Sequence, residues 1–162
     1  PAGEAGEVIA RSDCGMRGYW ESPELTAQAI RDDWIVTGDL GRLDADGYLT
    51  LVGRKKEIIV SGGMKIVPAE TEAALYRHPA VSEAAVIGRP DATWGEAVHA
   101  VVALKPGASV TAEELIQFCG QHLAGYKKPR SIEFLASLPK TGIGKIARRA
   151  LRDRFLEVPA QT

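Results

Sequence analysis

Lys145 stands at the end of Pro139-Lys140-Thr141-Gly142-Ile143-Gly144-Lys145, a setting that suits a negatively charged ligand. Glycines two apart let the backbone turn tightly and expose its N–H groups, and Ala147, Leu151 and Phe155 follow at helical spacing. That spacing predicts a helix from near Ile146, whose positive dipole end would face the same place. A glycine loop, a helix N-terminus and an ammonium group together could stabilise a phosphate or carboxylate on which charge develops. Equally, the residues could form a solvated turn with an ordinary surface lysine. The pattern is not a Walker A loop, because one residue separates the glycines and no strand runs straight into them.

Four further motifs carry chemistry. Thr37-Gly38-Asp39 presents a carboxylate directly after a glycine; an ionised Asp only accepts, and could take both hydroxyls of a ribose diol, or simply close a turn. Gly53-Arg54-Lys55-Lys56-Glu57 places three cations ahead of the apolar run Ile58-Ile59-Val60 and of Ser61-Gly62-Gly63. No aromatics interleave with those cations, so Arg54 reads as fixed by a neighbouring element, its fork open to a phosphate or ribose oxygen. Trp94, in the polar stretch Arg89 to Glu96, is either a local plug or a wall for an elongated ligand. In Gly125-Tyr126-Lys127-Lys128-Pro129-Arg130 an aromatic ring stands beside three cations, which suits a partly flat phosphorylated ligand or a basic surface turn.

These residues need a frame. The 162 residues are 45% hydrophobic and 25% charged, a globular composition with room for one domain and a piece of another. No apolar run approaches the roughly 20 residues of a membrane span. Cys14 and Cys119 are too few and too distant for a disulfide framework or a zinc site, and a reducing, cytoplasmic setting is expected. Cys119 is expected in a helix core. Net charge is −1 but lopsided: residues 1–50 hold four basic and ten acidic side chains, residues 126–162 nine basic and three acidic. Arg148, Arg149 and Arg152 are either part of a phosphate-facing half or cations solvating one helix face. The start at Pro1 is read as the start of a piece of something longer.

The first fifty residues predict short strands and turns. Gly6 to Ala10 and Trp34 to Thr37 are extended, with a polar stretch around Pro23 between them, and Leu43 to Leu49 forms a hairpin about Asp46-Gly47. There is too little apolar surface here for an independent core. From Gly53 onward an α+β pattern begins: a strand from Glu57 to Ser61, a break at Gly62-Gly63, Met64 to Val67, then a helix from Pro68 to about Arg77. Val81 to Gly88 and Ala97 to Leu104 are apolar on both faces, as strands covered on both sides should be. Thr111-Ala112-Glu113-Glu114 is a capping box for a helix with Leu115, Phe118, Cys119 and Leu123 on one face. Ile132 to Leu135 is the last strand. The expected division is 1–53, the β-rich end of a larger domain, and 54–162, a small domain with a mixed sheet flanked by helices.

In this order and spacing, the four motifs and the Lys145 loop resemble the AMP-forming acyl-CoA synthetases of the adenylate-forming family. The resemblance covers almost the whole chain, and rests most firmly on Gly53-Arg54…Gly62-Gly63…Pro68-Ala69-Glu70…Glu72 and on Pro139-Lys140-Thr141…Gly144-Lys145. It implies an acid activated with ATP to an acyl-adenylate, then transferred to coenzyme A after the small domain rotates. Asp39 would hold the ribose hydroxyls, Arg54 the ribose or phosphate, and Lys145 the acid and α-phosphate during adenylation. Lys56 would be the hinge. Gly62 and Gly63 would line the pantetheine channel, and Trp94, Tyr126, Lys128 and Arg130 match positions that contact CoA in some members. Mg2+ ligands, the phosphate loop and the acid pocket would lie upstream of Pro1, so the chain alone is expected to be inactive and its acid is unread. No metal site, nucleic-acid partner or membrane span is expected within it.

One departure from the family pattern is Thr71, where Ile or Val is usual; threonine is close in shape to valine and its hydroxyl can bond the carbonyl one turn back, so a small loss of packing and no change of function are expected. A peptide-synthetase adenylation domain is the nearest alternative. From another class, the basic C-terminal face could belong to a stand-alone phosphate- or nucleic-acid-binding module, against which the net charge and sparse aromatics argue.

Overall fold

The computed structural model describes residues 2–156. The chain divides between Lys56 and Glu57, three residues beyond the boundary expected at Gly53, because Arg54 completes a strand of the first unit.

That unit is built on one long strand. It contains β1 (Ala5–Ala10), α1 (Pro23–Ala29), β2 (Ile30–Arg31), β3 (Trp34–Leu43) and β4 (Leu49–Arg54). β3 pairs antiparallel with each of the other three. The expected hairpin joins β3 to β4: Asp44 Oδ1 accepts from the N–H groups of Asp46 and Tyr48, and Gly47 takes the positive φ that the turn requires. The polar stretch around Pro23 is a helix instead. Pro23 sits at its first position and Glu24 in its first turn, both favourable there, yet the helix buries no residue. Among the described residues of this unit only Gly41 is buried.

The second unit opens in a 3-10 turn, Lys55–Glu57, so the strand expected from Glu57 starts later, as β5 (Ile59–Ser61). β6 (Met64–Ile66) returns beside it, with Ser61 opposite Met64. Gly62 and Gly63 form the two-residue connection at φ 56° and 79°, a primed turn that matches strand twist and that glycine enters without steric cost. Then follow α2 (Pro68–Tyr76), β7 (Val81–Asp91), β8 (Gly95–Leu104), α3 (Ala112–His122), a 3-10 turn (Gly125–Lys127), β9 (Ser131–Phe134) and α4 (Arg148–Leu156). Strand order is β6-β5-β8-β7, and β9 runs parallel to β8. The sheet is therefore mixed and the fold α+β, as expected.

Alternation along β7 and β8 feeds two cores. Ala84, Val86, Val98, Ala100 and Val102 face α2 and α3, against Ala74, Leu75, Leu115 and Cys119. Ala85, Ile87, Val101 and Ala103 point the other way, onto Leu138 and Leu151. A strand covered on both faces must be apolar at successive positions. Thr111 closes its capping box with Glu114 in both directions, which holds Glu114 below the usual carboxylate range through the Thr111 N–H bond. Thr71 is fully buried, and its hydroxyl donates to the carbonyl of Lys127 at 2.8 Å rather than back along α2. The carbonyl one turn back is already engaged by the helix, while that of Lys127 ends a 3-10 turn and needs a donor.

Candidate functional site

In the first unit, Asp39 and Arg54 face each other across β3 and β4. Arg54 Nε donates to Asp39 Oδ1 at 2.7 Å, with the aspartate a quarter exposed and the arginine more than half. Thr37-Gly38-Asp39 is not a turn. It lies inside β3, where the register to β1 jumps between Glu7 and Ile9 and Gly38 adopts φ 73°. The Thr37 hydroxyl donates to the Val8 carbonyl at 2.7 Å and accepts from Asp39 N–H at 3.1 Å, satisfying backbone groups that the bulge unpairs. A bulge re-aims the side chain that follows it, here Asp39. Beside the pair opens a cleft of about 660 Å3, bounded by Tyr19, Leu25, Thr37, Gly38, Arg54 and Lys55. Lys56 is exposed in the 3-10 turn that spans the division between the units.

A second group forms in the other unit. Gly62 N–H donates to the Trp94 carbonyl at 2.9 Å, and a Cβ on Gly62 would lie 2.6 Å from the indole Cε3. The guanidinium of Arg130 stacks 4.5 Å from the same ring, and the Arg130 backbone N–H donates to the Val98 carbonyl at 2.8 Å. Asp91 sets the turn: its Oδ1 accepts from Trp94 N–H and Thr93 N–H, both at 2.9 Å, which lowers its pKa. Gly62, Trp94 and Arg130 are thus brought together. Tyr126 and Lys128 are exposed on the turn that precedes Arg130. Beside them Lys127 pairs with Glu70, which raises the lysine's pKa.

The Lys145 loop is the third group, with a braced base and an open tip. Lys140 and Ile146 form a bridge, Thr141 N–H bonds the Lys145 carbonyl at 2.7 Å, and Ala147 N–H bonds that of Pro139 at 2.8 Å. α4 therefore begins at Arg148 rather than near Ile146, because the turn engages the intervening backbone; Lys145 precedes the helix by three residues. Glu83 on β7 anchors the incoming stem, accepting from Leu138 N–H at 3.0 Å and pairing with Lys140 at 2.5 Å. The bond from Lys140 leads the causes that lower the Glu83 pKa. Beyond these bonds the tip stands open: Ile143 is 80% exposed, and a Cβ at Gly142 or Gly144 would meet nothing within 4 Å.

The outgoing stem is held by residues the sequence did not single out as a pair. Arg148 turns inward, its Nη2 lying 2.8 and 2.7 Å from the two oxygens of Glu72. Glu72 Oε1 also accepts from Val86 N–H at 2.9 Å. Burial works against the Arg148 charge, but Glu72 and then Glu57 outweigh it and raise its pKa. Arg149, by contrast, is 95% exposed with Asp153 as its neighbour. The Asp91 turn had a local signal, an Asp two and three residues before the N–H groups it receives; Glu72 and Arg148 are 76 residues apart and had none.

Two buried titratable groups take no part. Cys119 is pushed up to about 11 by burial, which leaves it an inert core thiol. His99 is lowered to about 4, first by burial and then by the Arg89 charge, with Nδ1 2.7 Å from the Ser131 hydroxyl. Among the described residues no cluster of three or more His, Cys, Asp or Glu could hold a metal, and no helix is long and apolar enough to cross a membrane.

Residues 70–145 match the model of the AMP-binding enzyme C-terminal domain. A feruloyl-CoA synthase from Amycolatopsis sp is 46% identical over 155 residues, 96% of this chain and 32% of the relative. A long-chain-fatty-acid–CoA ligase from Bacillus subtilis (strain 168) is 47% identical over 154 residues, 95% of this chain and 28% of the relative. An ATP-bound MatB structure from Rhodopseudomonas palustris superposes with a TM-score of 0.92 at 35% identity, covering 97% of this chain and 31% of that one. The chain spans about a third of the length of such relatives. Residues 70–145 are thus a C-terminal domain of the AMP-binding enzyme family, and over nearly its whole length the chain is similar to CoA synthases and ligases.

Proposed function

We propose that this chain is the C-terminal part of a carboxylic acid–CoA ligase, with the rest of the catalytic machinery in a large domain that it does not contain. The observation that carries the reading is the Lys145 loop: an exposed cation at the braced base of an open glycine tip, its two stems held by Glu83 and by Glu72 through Arg148. Braced stems limit the freedom lost when the tip closes on a ligand, and the open tip leaves the ammonium free to reach one.

In the first half-reaction a carboxylate oxygen forms a bond to the α-phosphorus of ATP as the bond to pyrophosphate breaks. Lys145 neutralises the charge that builds on the acid and α-phosphate. Asp39 accepts from the ribose hydroxyls, and Arg54, tied to it at 2.7 Å, is placed for the ribose or phosphate. In the second, the CoA sulfur attacks the acyl carbon, the thiol proton leaves, and AMP departs with the bonding electrons. Rotation at Lys56 exchanges Lys145 for the Gly62-Gly63 turn. Gly62, with Trp94 against it and Arg130 stacked beyond, forms a narrow wall for a pantetheine arm, while Tyr126 and Lys128 offer contacts to the nucleotide end. The Mg2+ that accompanies ATP takes its ligands in the large domain, and by itself the chain is inert. Its free Cys14 and Cys119 fit a reducing, cytoplasmic compartment.

Lys145→Ala in the full-length protein tests this. Adenylate formation, followed by pyrophosphate exchange, should fall at least about 10²-fold, the scale for loss of one transition-state charge stabiliser. Thioester formation from supplied acyl-adenylate should survive. Equal loss of both half-reactions would show that Lys145 is structural or serves both states.

A further inference from the structure

Arg148 has a second neighbour that the pairing with Glu72 does not explain. Its Nε is buried without a hydrogen-bond partner and points at Glu57 Oε2, 3.7 Å away. One turn further along α4, Arg152 Nη2 reaches the Glu57 backbone carbonyl at 3.4 Å. Glu57 closes the 3-10 turn that spans the division of the chain. Two arginines of α4 therefore meet the first residue beyond the Lys56 pivot, one at its carboxylate and one at its carbonyl. Arg148 is also the third residue after Lys145, and its neighbour Ala147 bonds the Pro139 carbonyl across the base of the loop.

We propose that Arg148 is a positioning residue for adenylation, fastening the root of the Lys145 loop to the exit of the hinge through Glu72 and Glu57. This rests on the reading of Lys145 given above. The physical reasons are two. Glu72 is only 7% exposed and Arg148 lies between two carboxylates, so the guanidinium has one stable setting; losing it would leave a buried carboxylate uncompensated. The spare Nε donor lies about half an ångström beyond hydrogen-bond range of Glu57, so a small change in the turn after Lys56 would complete or break that bond. The first residue beyond the pivot and the root of the Lys145 loop are then held by the same three side chains. Once fastened, rotation at Lys56 carries the loop without slack.

The experiment uses the full-length protein with three variants, Arg148→Met, Glu57→Gln and Lys145→Ala, each assayed for pyrophosphate exchange and for thioester formation from supplied acyl-adenylate. Displacing a reacting group by an ångström can cost about 100-fold, so Arg148→Met should lose about that much in the kcat of exchange, and Glu57→Gln about tenfold. Thioester formation should stay within about twofold of the parent in both, because Lys145 is not used there. Arg148→Lys, which keeps charge without the fork, should recover part of the exchange rate. Should Arg148→Met fail to fold, Glu57→Gln decides alone, since Glu57 is a third exposed and its substitution buries no new charge. Unchanged exchange in Glu57→Gln, or equal loss of both half-reactions, overturns the positioning role. If Lys145→Ala itself leaves exchange intact, the parent reading fails first and this inference falls with it.

Discussion

The two units of the chain solve opposite problems. Glu57 onward wraps α2, α3 and α4 about a five-stranded sheet whose central strands are buried on both faces. The first unit hangs three strands on β3 and buries only Gly41 among its described residues, while Trp20 is 88% and Tyr48 73% exposed. A sheet needs apolar surface removed from water to offset the entropy of ordering its chain. The second unit has that surface within itself. What the first unit has in its place is non-local polar detail: the Thr37 bulge and the Asp39–Arg54 pair. An ion pair between two strands can thus be fully formed on a scaffold that lacks a core of its own.

The widest separation should appear in hydrogen exchange. The amides of β7 and β8 should exchange only through global opening, and those of β1 and β3 through local opening orders of magnitude more often. Excised residues 57–162 should unfold in one cooperative transition, and excised residues 1–56 should show none. Protection concentrated in β1 and β3 would reverse the comparison.

Matched leucine truncations sharpen it. Leu75→Ala empties a fully buried site and should cost about 2–5 kcal/mol. Leu51→Ala removes a side chain that is 62% exposed and should fall within about 0.5 kcal/mol. Denaturant midpoints of the two variants measure the contrast directly. A large effect at Leu51 would mean that the first unit has a core after all.

Acid should find the second unit through His99. Its folded pKa of about 4 lies below the ordinary 6.5, so between these values the unfolded chain binds the extra proton. Stability from this group is complete above about pH 6.5 and lost as pH falls through 4, up to about 3 kcal/mol in all. In His99→Gln the slope of stability against pH over that window should flatten; an unchanged slope removes His99 as its cause. Least of all should change with Arg54→Met. Its partner is a quarter exposed and it is itself more than half exposed, so the pair should contribute no more than about 1 kcal/mol to stability, while affinity for AMP in the full-length protein should drop measurably.

What could be read from the sequence follows the same line. Pro68 starts its helix by its fixed φ and the Thr111 box by bonds within one turn, and both were legible. α1 was not, because its seven residues bury nothing and so show no apolar face. β7 runs on through Arg89-Pro90-Asp91, which read as polar loop, since pairing with β8 overrides composition there. The Lys145 loop, Trp94 and Asp39 stood out singly by residue type. The pairings of Arg148 with Glu72, Arg130 with Trp94 and Thr71 with Lys127 lie across tertiary distances that local pattern does not encode.

The primed turn at Gly62 and Gly63 makes neighbouring positions unequal under mutation. Both need a left-handed backbone, which asparagine tolerates better than most residues. At Gly63 a side chain would extend into open space, so asparagine is a permitted neighbour of glycine in sequence drift. At Gly62 the indole of Trp94 stands where the first side-chain atom would go, so asparagine there must also displace the tryptophan from under Arg130. Drift at position 62 therefore waits on position 94, 32 residues further along the chain, while drift at position 63 does not.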